Sequence, residues 1–230
     1  MNDSSFYLHK RRKHIRPIHH WWGWLVFRYA GRNMSSKNSA RSRFFYNVIA
    51  CLYDRLYADQ IFAYRRVVRM VVDSSIRTGD RVLDLGCGTG LLMDMAAEKA
   101  RSVYGLDISF SMIRGARKKM KKRAHTHLIN GDCRQLPLGG KFDKILSSFM
   151  LVILDRPARR EVIRSLYPLL EEDGELIFIT SREEFSPQWL SQREWTQYCC
   201  DAGFRFVEFE ECYGYYRVVR ARKNPKAKEI

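Results

Sequence analysis

The chain has 230 residues, 46% of them hydrophobic and 29% charged, with a formal charge of +16. That length suits one sizeable domain with extra sequence at an end, and the apolar share supports a packed core. The charge raises nucleic acid, an anionic membrane or an acidic substrate as partners.

The positive charge is concentrated. Residues 1–45 carry +9, residues 111–123 carry +7 and residues 217–230 carry +5, which leaves the remainder at −5. On this reading the body is mildly acidic, and two ends and one helix are basic. The six cysteines form no CxxC or Cys/His zinc spacing, so no metal site is expected. His9, His14, His19 and His20 have no acidic or thiol companions and read as solvated side chains.

In chain order, residues 1–40 form a basic, aromatic extension. "IHHWWGWLVFRYAG" (Ile18–Gly31) follows the basic run "HKRRKHIRP". Its apolar part is broken by Arg28 and falls short of the roughly 20 residues that span a bilayer. It is also a poor secretory signal, so a reducing, cytoplasmic setting with free thiols is expected. Two readings stand for the segment. It caps the helices that follow, or residues 10–30 anchor the chain peripherally to an anionic membrane. In the second, the tryptophans sit at headgroup depth and Lys10, Arg11, Arg12, Lys13 and Arg16 face lipid.

Residues 44–76 carry apolar positions at helical spacing with no Gly or Pro. Strands and helices then alternate. Strands are predicted at "RVLDLG", "SVYGLD", "THLIN", "FDKILSSF" and "GELIFIT". Between them lie predicted helices at "TGLLMDMAAEKA", "SMIRGARKKMKK" and "RREVIRSLYPLLEE", and "SQREWTQYCCDAG" follows. "FRFVEFEEC" and "YYRVVRARK" flank a Gly-containing turn as a closing pair. The pattern predicts an α/β fold: a doubly wound, mostly parallel seven-stranded sheet with a C-terminal antiparallel hairpin. The domain spans residues 41–222, including N-terminal lid helices, and 223–230 form a basic tail. Ligands of such sheets lie beyond the carboxyl ends of the strands.

"VLDLGCGTGLL" (Val82–Leu92) is the richest signal. Gly86, Gly88 and Gly90 follow a strand and precede a helix, where main chain can turn tightly and touch a ligand. A dinucleotide loop would place its third glycine at Leu91, and a P-loop would end in Lys-Ser/Thr. Asp84 would repel a pyrophosphate and suit a ligand bearing an ammonium group.

These residues resemble the first motif of the class I S-adenosylmethionine-dependent methyltransferases. "VYGLDIS", "INGDCRQLPL" and "FDKILSSFML" resemble that family's next motifs in order, over roughly residues 41–222. The resemblance implies S-adenosylmethionine as cofactor. Asp84, Gly86, Cys87, Gly88 and Gly90 would hold its methionyl part. Asp107 and Ile108 would hold the ribose, Asp132 and Cys133 the adenine, and Ser147 would lie against the cofactor. Ser148 and Phe149 would position the acceptor near the methyl group.

The same motifs narrow the acceptor. Enzymes methylating exocyclic amines of bases usually carry an Asn/Asp-Pro-Pro-aromatic run where this chain has "SSFM". Neither Cys51 nor Cys87 is placed as a cytosine-methylating nucleophile would be. "YNVIACLYDRLYADQ" resembles the lid of ubiquinone/menaquinone C-methyltransferases and phospholipid N-methyltransferases. That likeness gives Tyr53 a positioning role beside Asp54, with plain helix packing as the alternative. A small apolar or amphiphilic acceptor, quinone-like or lipid, is the leading expectation. An RNA or RNA-associated protein substrate held by the basic termini is the alternative, and a non-catalytic cofactor-binding interaction protein is third. The basic helix reads as a solvated face whose cations complement the helix dipole, or else as a contact for a remote part of a large partner.

Overall fold

The computed structural model describes residues 64–185 and 187–225. Tyr53, the remaining lid positions and the whole of residues 1–40 lie outside the described residues.

Helix α1 (Tyr64–Ser75) presents Val67, Val68, Val71 and Val72 on one fully buried face. Strand β1 (Arg81–Leu85) follows, then α2 (Leu91–Ala96), β2 (Ser102–Asp107) and α3 (Phe110–Lys119). The chain continues through β3 (Thr126–Asn130), β4 (Phe142–Ser148), α4 (Arg156–Leu166) and β5 (Leu170–Ser181). It ends with α5 (Gln192–Ala202), β6 (Phe206–Cys212) and β7 (Tyr216–Arg222). The sheet order is β3-β2-β1-β4-β5-β7-β6. The first five in that order run parallel, and β7 pairs antiparallel with both β5 and β6. The expected seven-stranded architecture is present.

Both faces of β1 are covered, which is why it reads as an almost unbroken apolar run. Val82 joins the core under α1 and α2, while Leu83 and Leu85 join the core under α4 and α5. Alternation then puts Asp84 on the α2 side, where an ordinary core strand would carry another Val. The helices begin at side-chain caps: Ser109 for α3, Asp155 for α4 and a Ser191–Glu194 capping box for α5.

Two elements differ from their sequence expectation. The helix predicted through Glu172 ends at Leu166: Tyr167 keeps helical dihedrals and donates to the Arg164 carbonyl, but Pro168 offers no N–H to continue the ladder. Strand β5 starts at Leu170, ahead of the predicted Gly174, through an irregular register between Phe142↔Leu170 and Lys144↔Glu175.

The C-terminal cations also differ from expectation. Arg217, Arg220, Arg222 and Lys223 are buried rather than displayed on a free basic end. Strand β7 lies between two others, so its arginines must find acids inside the fold. Arg222 donates to Glu175 at 2.8 Å and also binds Glu208, and Arg217 binds Glu183 and Glu211. Arg220 reaches Ser75 Oγ at 2.6 Å on α1 and Glu175 at 3.5 Å. Lys144 stands 3.9 Å from the same glutamate, and burial holds its pKa below the usual lysine range. Lys223 donates to the Leu170 carbonyl at 2.7 Å, so the fold runs past residue 222.

Glu175 thus neutralises three buried cations from two strands. Glu175→Gln keeps its volume and removes the buried charge those cations share, leaving Arg222 to Glu208 and Arg220 to Glu210 at 3.9 Å. The substitution is expected to lower unfolding free energy by about 3 kcal/mol, read as a reduced urea midpoint at constant m.

Candidate active site

The glycine loop is built by its anchors. The Gly86 and Cys87 N–H groups both donate to the Leu106 carbonyl, at 2.8 and 3.0 Å, which ties the loop to the end of β2. Gly86 has φ 77°, and a Cβ there would lie 2.5 Å from the Met150 Cβ. Met150 therefore packs directly on the loop, a contact that only glycine admits. Gly88 has φ 53°, and a Cβ there would meet nothing within 4 Å. Its main chain faces open space.

Two carboxyl groups flank this loop. Asp84 is 2% exposed, takes a hydrogen bond from the Met93 N–H at the start of α2, and among the described residues leaves Oδ2 buried with no partner. Burial, reinforced by the nearby Asp107 charge, pushes its pKa up to about 8. The group is therefore largely protonated at neutral pH and would ionise readily beside a cation. Asp107 accepts from the Gly88 N–H at 2.9 Å through Oδ2 and from the Ser109 N–H at 2.8 Å through Oδ1. Burial raises its pKa as well, against the lowering effect of those two bonds. Each of its oxygens keeps a lone pair for a ligand hydroxyl. Ile108 is half-buried immediately beyond it.

The other sequence candidates fall around this pair. Cys87 is buried and its pKa is driven well up, so it stays a thiol that packs near Gly105 of β2. Cys133, pushed up to about 12 by burial, lies 3.8 Å from Met150 Sδ. Asp132 has both oxygens engaged by Arg134, a residue the sequence reading passed over. Ser147 is 2% exposed and donates its hydroxyl to the Leu85 carbonyl at 2.8 Å, which locks β4 to β1 below the loop. Ser148 shares a 2.7 Å hydrogen bond with Tyr64 at the head of α1.

Phe149 adopts φ 56°, a left-handed conformation that costs a bulky residue on the order of 1–2 kcal/mol. Its N–H donates to the Ile179 carbonyl at 2.9 Å, and its ring meets Tyr64, Trp189 and Tyr216 at centroid distances of 5.8, 5.6 and 5.9 Å. Those contacts hold the strained backbone. The sequence carried no sign of it, because no glycine marks the turn.

Between the carboxyl-end halves of β4 and β5 and the helices that cover them lies a small cavity with room for about one water molecule. Phe149, Phe178, Trp189 and Trp195 line it together with Ser147 and Thr180. Arg159 fixes its wall by donating to the carbonyls of Leu154, Gln188 and Val152 at 2.8, 2.7 and 2.9 Å. Burial lowers its pKa to about 10, so it keeps its charge at neutral pH.

Residues 82–174, from β1 into β5, match the protein family described as a methyltransferase domain. The span contains the glycine loop, both buried acids and the β4 turn. Over these residues the chain is similar to a methyltransferase domain. An uncharacterized protein of Methanocaldococcus jannaschii is 32% identical over 148 residues, 64% of this chain and 53% of that protein. A demethylmenaquinone methyltransferase of Listeria welshimeri is 32% identical over 120 residues, half of each chain. The chain spans about half the length of these curated relatives. Among solved structures, magnesium protoporphyrin IX methyltransferase of Synechocystis with bound SAH superposes with a TM-score of 0.65. At 21% identity over 80% of this chain and 99% of that one, the likeness is one of fold. Among the described residues, no helix is long and apolar enough to cross a membrane.

Asp84 sets a pH dependence. Its folded pKa of about 8 lies above the unfolded value of 3.8, so stability falls as pH rises between them. Asp84→Asn is expected to match the parent's stability below pH 4. It should exceed that stability by a few kcal/mol near pH 8, measured by urea unfolding without ligand.

Proposed function

We propose that this chain transfers a methyl group from S-adenosylmethionine to a small apolar or amphiphilic acceptor, quinone-like or lipid. The observation that carries the reading is the unpartnered Oδ2 of Asp84, sealed beside a glycine loop whose main chain faces open space. A buried carboxyl with a spare acceptor is costly unless a ligand supplies a donor. An ammonium group fits that need, and the donor-poor loop suits it better than a phosphate would.

When bound, the cofactor supplies a sulfonium-activated methyl electrophile, and the protein supplies position and electrostatics. Asp84 and the loop backbone hold the amino-acid end. Asp107, fixed by the Gly88 and Ser109 N–H groups, presents its free lone pairs to ribose hydroxyls. The segment at Asp132 and Cys133 borders the nucleobase. Ser147 contributes by locking β4 to β1, and Ser148 and Phe149 shape the junction between cofactor and acceptor. Phe149, half-buried at that junction, offers an apolar ring to an apolar acceptor. No side chain is assigned as a general base, because an activated phenol or carbanion needs chiefly placement.

The names of the relatives agree with this class: one is a demethylmenaquinone methyltransferase and the fold neighbour acts on a magnesium porphyrin. Incubation with methyl-labelled cofactor and separated lipid, small-molecule, RNA and protein fractions tests the proposal. Label is expected in the organic-extractable fraction. Asp107→Ala should weaken cofactor binding about 100-fold through two lost charge-assisted hydrogen bonds. Label confined to RNA or protein would contradict the acceptor class, and Asp107→Ala with parental cofactor affinity would contradict the site.

A further inference from the structure

Among the described residues, helix α3 has one face without a protein partner. Met112, Ile113, Ala116 and Met120 are buried against the core. Opposite them, Phe110, Arg114, Arg117, Lys118, Lys121 and Lys122 are all exposed. At 3.6 residues per turn these six fall within an arc of about 140°. They form a ridge roughly 20 Å long, since a single-turn 3-10 segment, Met120–Lys122, extends the helix.

The five cations of this ridge pair with no acid among the described residues, and no acidic residue occurs between Phe110 and Lys122. Their neighbours behave differently. Lys119 turns away to Thr89 Oγ1 at 3.1 Å, and Arg123 binds Asp94 at 3.1 Å. The unpaired set is therefore confined to the outer face. Its single apolar member is Phe110, 59% exposed. Phe110 sits at the helix N-terminus, three residues beyond Asp107 and on the carboxyl edge of the sheet, where the candidate site opens.

We propose that this face docks on an anionic lipid surface. A convex cationic ridge complements a flat, negatively charged plane, whereas single-stranded nucleic acid is usually followed by a concave groove with several stacking rings. One exposed aromatic at the end of a basic stripe fits interfacial insertion: the ring enters the headgroup boundary while the cations lie along it. Docked this way, α3 lies along the membrane plane, with Phe110 at the end nearest the carboxyl edge of the sheet. The surface is distinct from residues 10–30, and it does not depend on which acceptor the enzyme uses.

The test uses the full chain and sedimentation with two vesicle types, neutral phosphatidylcholine and the same lipid with about 30% phosphatidylglycerol. Preferential binding to the anionic vesicles is expected, lost when salt is raised to about 0.5 M. The triple variant Arg117→Gln, Lys118→Gln, Lys121→Gln should bind them about 100-fold more weakly. Phe110→Ala should weaken binding about tenfold. Calorimetric binding of S-adenosylhomocysteine by the same variants should stay at the parental level, which separates a failure here from a failure of the methyltransferase reading. Equal binding to both vesicle types, a triple variant that binds like the parent, or displacement of the protein from vesicles by single-stranded RNA would each overturn the proposal.

Discussion

A carboxyl group shut away from water at the end of the central strand organises the whole site. Asp84 occupies a position where β1 is flanked by β2 and β4 and covered by α2, and among the described residues none completes the hydrogen bonding of its Oδ2. The fold tolerates this by keeping the group protonated, with its pKa near 8, and by giving it one N–H from the start of α2. The loop that follows is then fixed independently. Two of its N–H groups converge on the Leu106 carbonyl and a third on Asp107. The acid on β2 and the loop on β1 thus hold each other in place, and a ligand meets a rigid frame.

Charge is divided between interior and surface in the rest of the molecule. The arginines of β7 serve the interior, where Glu175, Glu183, Glu208 and Glu211 absorb them. Such pairs give little net stability over an apolar core, but losing one member is costly. They bind β5, β6 and β7 together, and Arg220 ties α1 to the sheet through Ser74 and Ser75. Among the described residues, Arg114, Arg117 and Lys118 of α3, with Lys121 and Lys122 beyond it, have no such partners and remain on the surface. One total charge therefore conceals two physical roles, and only burial distinguishes them.

The fold was legible wherever periodicity and glycine placement were decisive. The apolar runs of β1 and β4 end where helices must begin, and the spacing of Gly86, Gly88 and Gly90 excluded a dinucleotide or P-loop. Other features depend on contacts between residues distant in sequence. Ser148 meets Tyr64 across 84 positions, and Arg159 reaches Gln188 across 29. Phe149 takes a left-handed turn that packing imposes against its own preference. Ser147 was legible as a residue beside the cofactor loop, but its hydroxyl is already given to Leu85. Arg217, Arg220 and Arg222 read as a basic end because arginine is usually solvated, while every residue of β7 is in fact buried. Pro168 was visible and outweighed the apolar periodicity on either side of it.

The central claim is that Asp84 is a protonated seat awaiting a cation. Calorimetric titration with S-adenosylhomocysteine at pH 7, in buffers of different ionisation enthalpy, reads it directly. An ammonium group at Asp84 lowers its pKa from about 8, so binding should release most of one proton per chain, and Asp84→Asn should abolish that release. Binding with no proton exchange in the parent protein, or the same release in Asp84→Asn, would contradict the account.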